Sequence, residues 1–251
     1  MKNTVLALAV IVLASFALPQ KKITVFMAGD STMSVKDPLA YPETGWGMPF
    51  VYFFDSTVKI DNRAKNGRST RTFITEGRWE GIMKDLSPGD YVFIQFGHND
   101  ESKSKGERYT SPEDYKKNLT RFVNETRARR GKPVLLTPVS RRKFKDGKQV
   151  ETHAVYADAV KAVADELNVP FIDINKISRE YYQQMGEENS KLLFMQLQPG
   201  EHPNYPQGRN DNTHFNELGA RKIAQLVLQE IRNLKLDLAD RIIVNHLHDK
   251  K

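Results

Sequence analysis

Val25-Phe26-Met27-Ala28-Gly29-Asp30-Ser31-Thr32 is an apolar run that ends abruptly in a glycine, an acid and two hydroxyls. β-Branched and aromatic residues leading to a glycine read as a buried strand, and in open α/β sheets ligands bind just beyond the carboxyl ends of strands. Ser31 therefore stands at the edge where chemistry is expected. By itself Gly-Asp-Ser decides little, because a serine after a strand more often caps a helix or shapes a turn. Its meaning depends on what the rest of the chain brings to the same edge.

Four further strands follow in sequence. Residues 57–60 form the second; Tyr91-Val92-Phe93-Ile94-Gln95-Phe96 is the clearest and stops at Gly97-His98-Asn99-Asp100; residues 133–138 and 171–174 are the fourth and fifth. Between them lie helical stretches: a short apolar one after Gly45-Trp46-Gly47, with Trp46 expected in the core, one over 70–86, and one from the Ser111-Pro112 cap to about Arg130. Another, around 156–163, ends before Pro170. Residues 177–197 read as helix, 198–211 as a Pro/Gly-rich loop, 216–233 as the last helix and 234–251 as weakly helical. This alternation predicts an α/β fold: a three-layer α/β/α sandwich around a central, mostly parallel five-stranded sheet.

Composition narrows the function classes. With 251 residues, 39% hydrophobic and 27% charged, the chain suits one globular α/β domain spanning 21–251 and neither disorder nor repeats. Met1-Lys2-Asn3 and the uncharged run that follows have the layout of a secretory signal peptide over 1–17, with Ser15-Phe16-Ala17 as a small-x-small cleavage site. Gln20-Lys21-Lys22 interrupts the run too early for a membrane span of about 20 residues. A secreted or periplasmic protein with no membrane association after signal removal is expected. Cysteine is absent, which excludes disulfides and a lipidated cysteine. The formal charge of +7 falls by only one lysine on processing, so the mature protein stays basic. The basic residues are scattered, Arg141-Arg142-Lys143 being the one dense cluster, and no nucleic-acid motif occurs. An acidic polysaccharide is the more fitting partner.

Strand ends place Ser31, Gly67 and Asn99 at one edge, and Asp211-Asn212-Thr213-His214, just before the last helix, supplies a fourth group. A serine hydroxyl needs a base to become a nucleophile, and the base needs a partner that fixes its tautomer. Histidine and aspartate three residues apart can do that. Backbone N–H groups at Ser31 and Gly67 and the Asn99 amide can hold the anionic intermediate.

Gly29-Asp30-Ser31, Gly67 within Asn66-Gly67-Arg68-Ser69, Gly97-His98-Asn99-Asp100 and Asp211-Asn212-Thr213-His214 resemble the four ordered blocks of the SGNH (GDSL-type) hydrolases. Gly-Asp-Ser-Thr, Gly45-Trp46-Gly47, the run from Arg68 to Phe73 and Phe96-Gly97-His98-Asn99-Asp100 most resemble the rhamnogalacturonan acetylesterases. Threonine at 32, where the wider superfamily has leucine, favours that branch. The resemblance implies a flavodoxin-like fold, with Ser31 as nucleophile, His214 as base and then acid, and Asp211 as its orienter. It also implies an oxyanion hole of Ser31, Gly67 and Asn99, and no metal or other cofactor. The implied activity is removal of acetyl groups from a plant cell-wall polysaccharide, acetylated rhamnogalacturonan first. Arg68, Arg71, His98 and His202 are the expected substrate-binding side chains, while His153, His246 and His248 read as peripheral.

Three other readings are weighed on the sequence, and the second is disfavoured. A related esterase acting on another acetylated glycan such as xylan shares these blocks. A metal-dependent phosphoesterase lacks its Asp-x-His and Gly-His-x-His ligands here. A non-catalytic carbohydrate-binding protein on the same fold is the third, because a fold alone never establishes activity.

Overall fold

The computed structural model describes residues 21–243, so the expected signal peptide over 1–17 and the end of the weakly helical tail, with His246 and His248, lie outside the described residues. Along the chain come β1 (Ile23–Gly29), α1 (Gly47–Phe50), β2 (Val58–Asn62), α2 (Thr70–Thr75), α3 (Arg78–Asp85), β3 (Tyr91–Gln95), α4 (Pro112–Ala128) and β4 (Lys132–Leu136). A small hairpin, β5 (Phe144–Lys145) and β6 (Lys148–Gln149), precedes α5 (Ala154–Leu167), β7 (Phe171–Ile172) and α6 (Ile174–Asn189). The chain then makes β8 (Phe194–Leu197), β9 (Arg209–Phe215) and α7 (Glu217–Asn233).

Five strands form one sheet in the order β2-β1-β3-β4-β7, and every neighbouring pair is parallel. Winding proceeds outward from β1 to β2, then returns across β1 to β3. The crevice between the loops leaving β1 and β3 is therefore the topological switch point, where ligands of such sheets bind. Successive side chains in a strand point to opposite faces. Val25, Met27, Phe93, Val134 and Leu136 accordingly enter one core with Phe50, Tyr182, Ile223 and Val227. Phe26, Ala28, Val92, Ile94 and Leu135 enter the other with Phe73, Trp79, Phe122 and Val160. All five residues of β3 are buried, as a strand covered on both faces requires. Trp46 is wholly buried, as expected, and its indole N–H donates to Gln95 Oε1 at 2.6 Å.

The structure corrects four boundaries. The helix expected over 70–86 is two helices, because Gly77 at φ +68° turns the chain between α2 and α3. The helix expected over 177–197 begins at Ile174, capped by Asp173, breaks at Gly186 (φ +79°), and gives way to β8. The loop expected over 198–211 ends at Gly208, and β9 pairs antiparallel with β8. Asp211 to His214 thus lie on a strand rather than in a loop. β9 was hidden because Arg-Asn-Asp-Asn-Thr-His carries no apolar alternation; its partner β8, upstream across a Pro/Gly-rich connection of eleven residues, holds it in place. Finally, the described part of the tail contains one 3-10 turn, Asp237–Arg241.

Candidate active site

Two turns at the carboxyl edge of the sheet aim the reactive groups. After β1 the wholly buried Asp30 accepts the Thr32 backbone N–H (3.0 Å) and hydroxyl (2.8 Å), and Gln95 at the end of β3 donates to that hydroxyl (2.9 Å). Burial pushes the Asp30 carboxyl up, and the two Thr32 bonds pull it partly back. The turn leaves Ser31 half-buried at the crevice. Its carbonyl accepts Lys36 Nζ (2.5 Å), which also reaches Asn66 Oδ1 (2.9 Å) and pairs with Glu43 (2.8 Å) in a nearly buried ion pair. Burial draws the Lys36 ammonium below its ordinary value, against the pull of Glu43.

The second turn is an irregularity in β9. Met195 of β8 faces Asp211 while Phe194 faces Phe215, so Asn212, Thr213 and His214 are extra residues that swell the strand. Such bulges re-aim side chains beside active sites. Here His214 Nε2 lies 2.9 Å from Ser31 Oγ, and Nδ1 lies 2.8 Å from Asp211 Oδ2. Oδ1 of Asp211 accepts the backbone N–H groups of Thr213 (2.8 Å) and His214 (3.0 Å), and Arg209 adds a second donor to Oδ2 at 2.8 Å. Burial alone raises this carboxyl, but the His214 and Arg209 contacts outweigh it and hold the group well below the usual carboxylate range. An ionised Asp211 assigns the proton to Nδ1, so Nε2 presents a lone pair to the Ser31 hydroxyl. A hydroxyl hydrogen-bonded to a base, itself fixed by an anion, is the arrangement of an activated nucleophile.

Facing Ser31 are donors with nothing to hold. Among the described residues, neither the Ser31 nor the Gly67 backbone N–H donates to a protein acceptor. Gly67 turns at φ +75°, open to glycine, and the Arg108 guanidinium sits 3.0 Å from where a Cβ would be. Asn99 Nδ2 donates one hydrogen to the Arg68 carbonyl (3.1 Å), which leaves its second for a ligand. These groups line a cleft of about 360 Å³ with Glu43, Asn66, His98 and Thr213. A larger groove of about 510 Å³, lined by Pro42, Leu192, Leu197 and Leu218 with Asn216, Glu217 and Arg221, has no serine or histidine in its lining.

The structure brings Ser31, Gly67, Asn99, His214 and His98 into one cleft, with Asp211 behind His214, and distributes the remaining predicted residues around it. His98 is buried, its Nε2 2.9 Å from the Val139 carbonyl, and burial draws it well below the ordinary histidine value. Arg68 lines an adjoining depression with Gly67, Lys105 and Arg108, where Glu76 binds it at 3.0 Å. Arg71 opens instead onto a separate depression with Tyr109 and Lys117, so it does not line the cleft. His202 also lies outside, tilted against Tyr41 and Tyr205 with ring centroids 5.6 and 6.3 Å away. The basic cluster divides: Arg141 reaches the cleft and is held by Glu101 (3.0 Å) and Thr213 (2.8 Å), whereas Arg142 is buried on Ser190 and Asn212.

Sequence reading missed Glu43, Lys105, Arg108 and Arg209, all lining the cleft. None had a usable signal: Arg209 shares a strand face with Asp211, two residues on, but that strand is visible only in the structure. His153 is corrected from peripheral: it is buried with its ring 4.3 Å from that of His98, and its Nδ1 lies 2.8 Å from Glu101.

Comparison with known proteins gives the chain a family. Residues 27–222 match the GDSL-like lipase/acylhydrolase family. Over 225 residues the chain is 43% identical to the rhamnogalacturonan acetylesterase RhgT of Bacillus subtilis (strain 168), covering 89% of this chain and 96% of that one. It is 36% identical to the probable rhamnogalacturonan acetylesterase YesY of the same organism, covering 87% and 97%. Among solved structures, the Bacillus subtilis protein YxiM superposes with a TM-score of 0.74 at 26% identity, over 86% of this chain and 58% of that one. A catalytic mutant of the acetylxylan esterase Axe2 from Geobacillus stearothermophilus shares the fold, with a TM-score of 0.60 at 19% identity over 84% and 94%. The chain belongs to the GDSL-like lipase/acylhydrolase family and is a carboxylic ester hydrolase.

Proposed function

We propose that this protein is a secreted carbohydrate esterase that removes acetyl groups from acetylated rhamnogalacturonan through a serine acyl-enzyme. The observation that carries the reading is the hydrogen-bonded chain Ser31–His214–Asp211 set opposite three available donors. His214 Nε2 takes the Ser31 proton as Oγ attacks the acetyl carbonyl. Charge then gathers on the carbonyl oxygen, toward the N–H groups of Ser31 and Gly67 and the Asn99 amide. His214 returns the proton to the departing sugar hydroxyl, and the C–O bond to the sugar breaks. Water, deprotonated by the same nitrogen, attacks the acetyl-serine; the acetyl–Oγ bond breaks, His214 returns the proton to Ser31, and acetate leaves. Asp211 stabilises the imidazolium throughout without becoming protonated.

Three observations support the substrate class. Two of the relatives named above, RhgT and YesY, carry rhamnogalacturonan acetylesterase or probable rhamnogalacturonan acetylesterase in their names. No aliphatic or aromatic hydrocarbon side chain lines the cleft among the described residues, which suits a sugar and a two-carbon acyl group better than a lipid chain. Four cations, Lys105, Arg108, Arg141 and Arg209, face one carboxylate, Glu43, in that cleft, and Arg68 extends the positive strip past Gly67. A glycan carrying galacturonate carboxylates is drawn to such a surface. Export rests on the charged start and apolar run of residues 1–17.

Acetate release across acetylated rhamnogalacturonan, acetylated xylan and aryl acetates tests the reading. The highest kcat/KM belongs on the acidic polymer, and Ser31→Ala and His214→Ala each lower kcat by about 10⁶-fold. More than about a tenth of wild-type activity in either variant refutes the assignment. Preference for xylan replaces the substrate, not the chemistry. N-terminal sequencing of protein from the culture medium or periplasm tests export; a start at Met1 there refutes cleavage after Ala17.

A further inference from the structure

Arg209 makes a contact that the esterase chemistry does not call for. A carboxylate offers about four lone-pair sites, and at Asp211 all are taken: two by backbone N–H groups on Oδ1, and two on Oδ2 by His214 and Arg209. Arg209 therefore shares with the base the very oxygen that orients it. Unlike Arg141, which is bound at both ends by Glu101 and Thr213, Arg209 has one carboxylate partner and lies with 39% of its side chain exposed at the cleft. Its guanidinium lies 5.8 Å from the centroid of the Tyr205 ring, and Tyr205 is anchored through its hydroxyl to the Ala40 carbonyl at 2.8 Å. That ring is a platform beside which the guanidinium can turn toward the cleft while keeping its cation–π contact. Lys105 and Arg108 also line the cleft, but they touch neither Asp211 nor His214.

We propose that Arg209 is a shared clamp. In the free enzyme Asp211 holds it; in the complex a carboxylate of the acidic glycan takes it, leaving Asp211 Oδ2 to His214 alone. The inference rests on the acidic-substrate reading above and adds to it a specificity-determining residue that couples recognition to the base. The direction of the effect follows from charge. A guanidinium on Asp211 disfavours the imidazolium of His214, so its withdrawal or neutralisation favours that imidazolium and makes Nε2 more basic. Asp30, Lys36, Glu43, His98 and Arg141 face the same cluster from the turn after β1, the loop that follows it, the end of β3 and the loop after β4. They are common to the wild type and an Arg209 variant, so a difference between the two isolates Arg209.

The test measures kcat/KM against pH on a neutral aryl acetate at fixed ionic strength, for the wild type, Arg209→Gln and Arg209→Lys, each with and without unacetylated galacturonate. In Arg209→Gln the acid limb moves to higher pH by about one unit. Galacturonate moves the wild-type limb in the same direction and leaves that of Arg209→Gln unchanged. The preference for acetylated rhamnogalacturonan over acetylated xylan falls about tenfold in Arg209→Gln, as loss of one charge-assisted contact predicts. Should Arg209→Gln fail to fold, Arg209→Lys keeps the charge, starts near the wild-type limb and still responds to galacturonate. An acid limb that stays in place in Arg209→Gln, or a galacturonate response equal in wild type and variant, overturns the clamp. If the wild type ignores the acidic polymer while galacturonate still moves its limb alone, the substrate reading fails and the clamp stands.

Discussion

Asn99→Ala separates transition-state stabilisation from ground-state binding at this site. The Asn99 side chain is nearly buried, and its nitrogen is tethered 3.1 Å from the Arg68 carbonyl, so the amide is aimed before substrate arrives. Removing it deprives the developing oxyanion of one of three donors, which costs about 10²- to 10³-fold in kcat, or about 2.7–4 kcal/mol. It also leaves the Arg68 carbonyl without that donor, a loss of about 1 kcal/mol in stability and about 2–4 °C in Tm. The acetyl carbonyl is uncharged in the ground state, so KM hardly moves. Steady-state kinetics on an aryl acetate, with thermal melting in parallel, resolves the two effects. Asn99→Asp keeps the shape but points an anion at the oxyanion, and its kcat falls at least as far. A tenfold rise in KM at constant kcat refutes the reasoning and makes Asn99 a ground-state ligand; a Tm collapse of more than about 10 °C makes it a structural tether.

Salt separates the polymer from small esters: raising ionic strength from low to about 0.5 M lowers kcat/KM on the acidic glycan and leaves an aryl acetate nearly unaffected, because exposed charges are screened beyond about 10 Å at 0.1 M. Equal responses remove the electrostatic basis for an acidic substrate. Asp100, wholly buried, is pushed up to about 7 by burial, against the pull of the two Thr70 bonds. A carboxyl raised above its unfolded value stabilises the fold below the unfolded value of 3.8, and that contribution is lost as pH rises through about 7. Asp100→Asn therefore flattens the fall in Tm between pH 4 and 7, a difference on the order of 4 kcal/mol, and a parallel fall in both proteins disproves the assignment. At Gly219, a Cβ would lie 1.9 Å from the Leu193 carbonyl oxygen, so Gly219→Ala drives α7 off the turn before β8. Calorimetry should show a loss of about 3 kcal/mol or more, roughly 6–12 °C in Tm; an unchanged Tm shows that the contact relaxes freely.

Much of the architecture is legible in local pattern. The apolar runs of β1, β3 and β4, each buried on both faces, need no partner to be recognised, because a parallel strand under two helical layers is hydrophobic at every position. Ser111-Pro112 and Asn216 announce α4 and α7 because capping is local chemistry. The four polar blocks at 29–31, 66–69, 97–100 and 211–214 are equally legible, since each is short and contiguous and the first three follow strands of one sheet. The sequence by itself therefore determined the sheet, its layers, and the identity of the groups that meet at the crevice.

Tertiary structure decided how those groups are held. β9 carries no apolar alternation, and it is a strand because β8 pairs with it; the bulge that aims His214 at Ser31 exists only in that pairing. Gly77 breaks a helix that the flanking periodicity would have continued. His153 acquires meaning only against His98 and Glu101, 52 or more residues away in the chain, and Arg71 and His202 lose theirs because the loops that carry them face elsewhere. Lys105, Arg108 and Arg209 come from two unrelated segments and have no common motif, yet they share one cleft. Local propensity acts over a few residues along the chain, whereas electrostatic and strand-pairing energies depend on distance in space, and only the closed fold sets those distances.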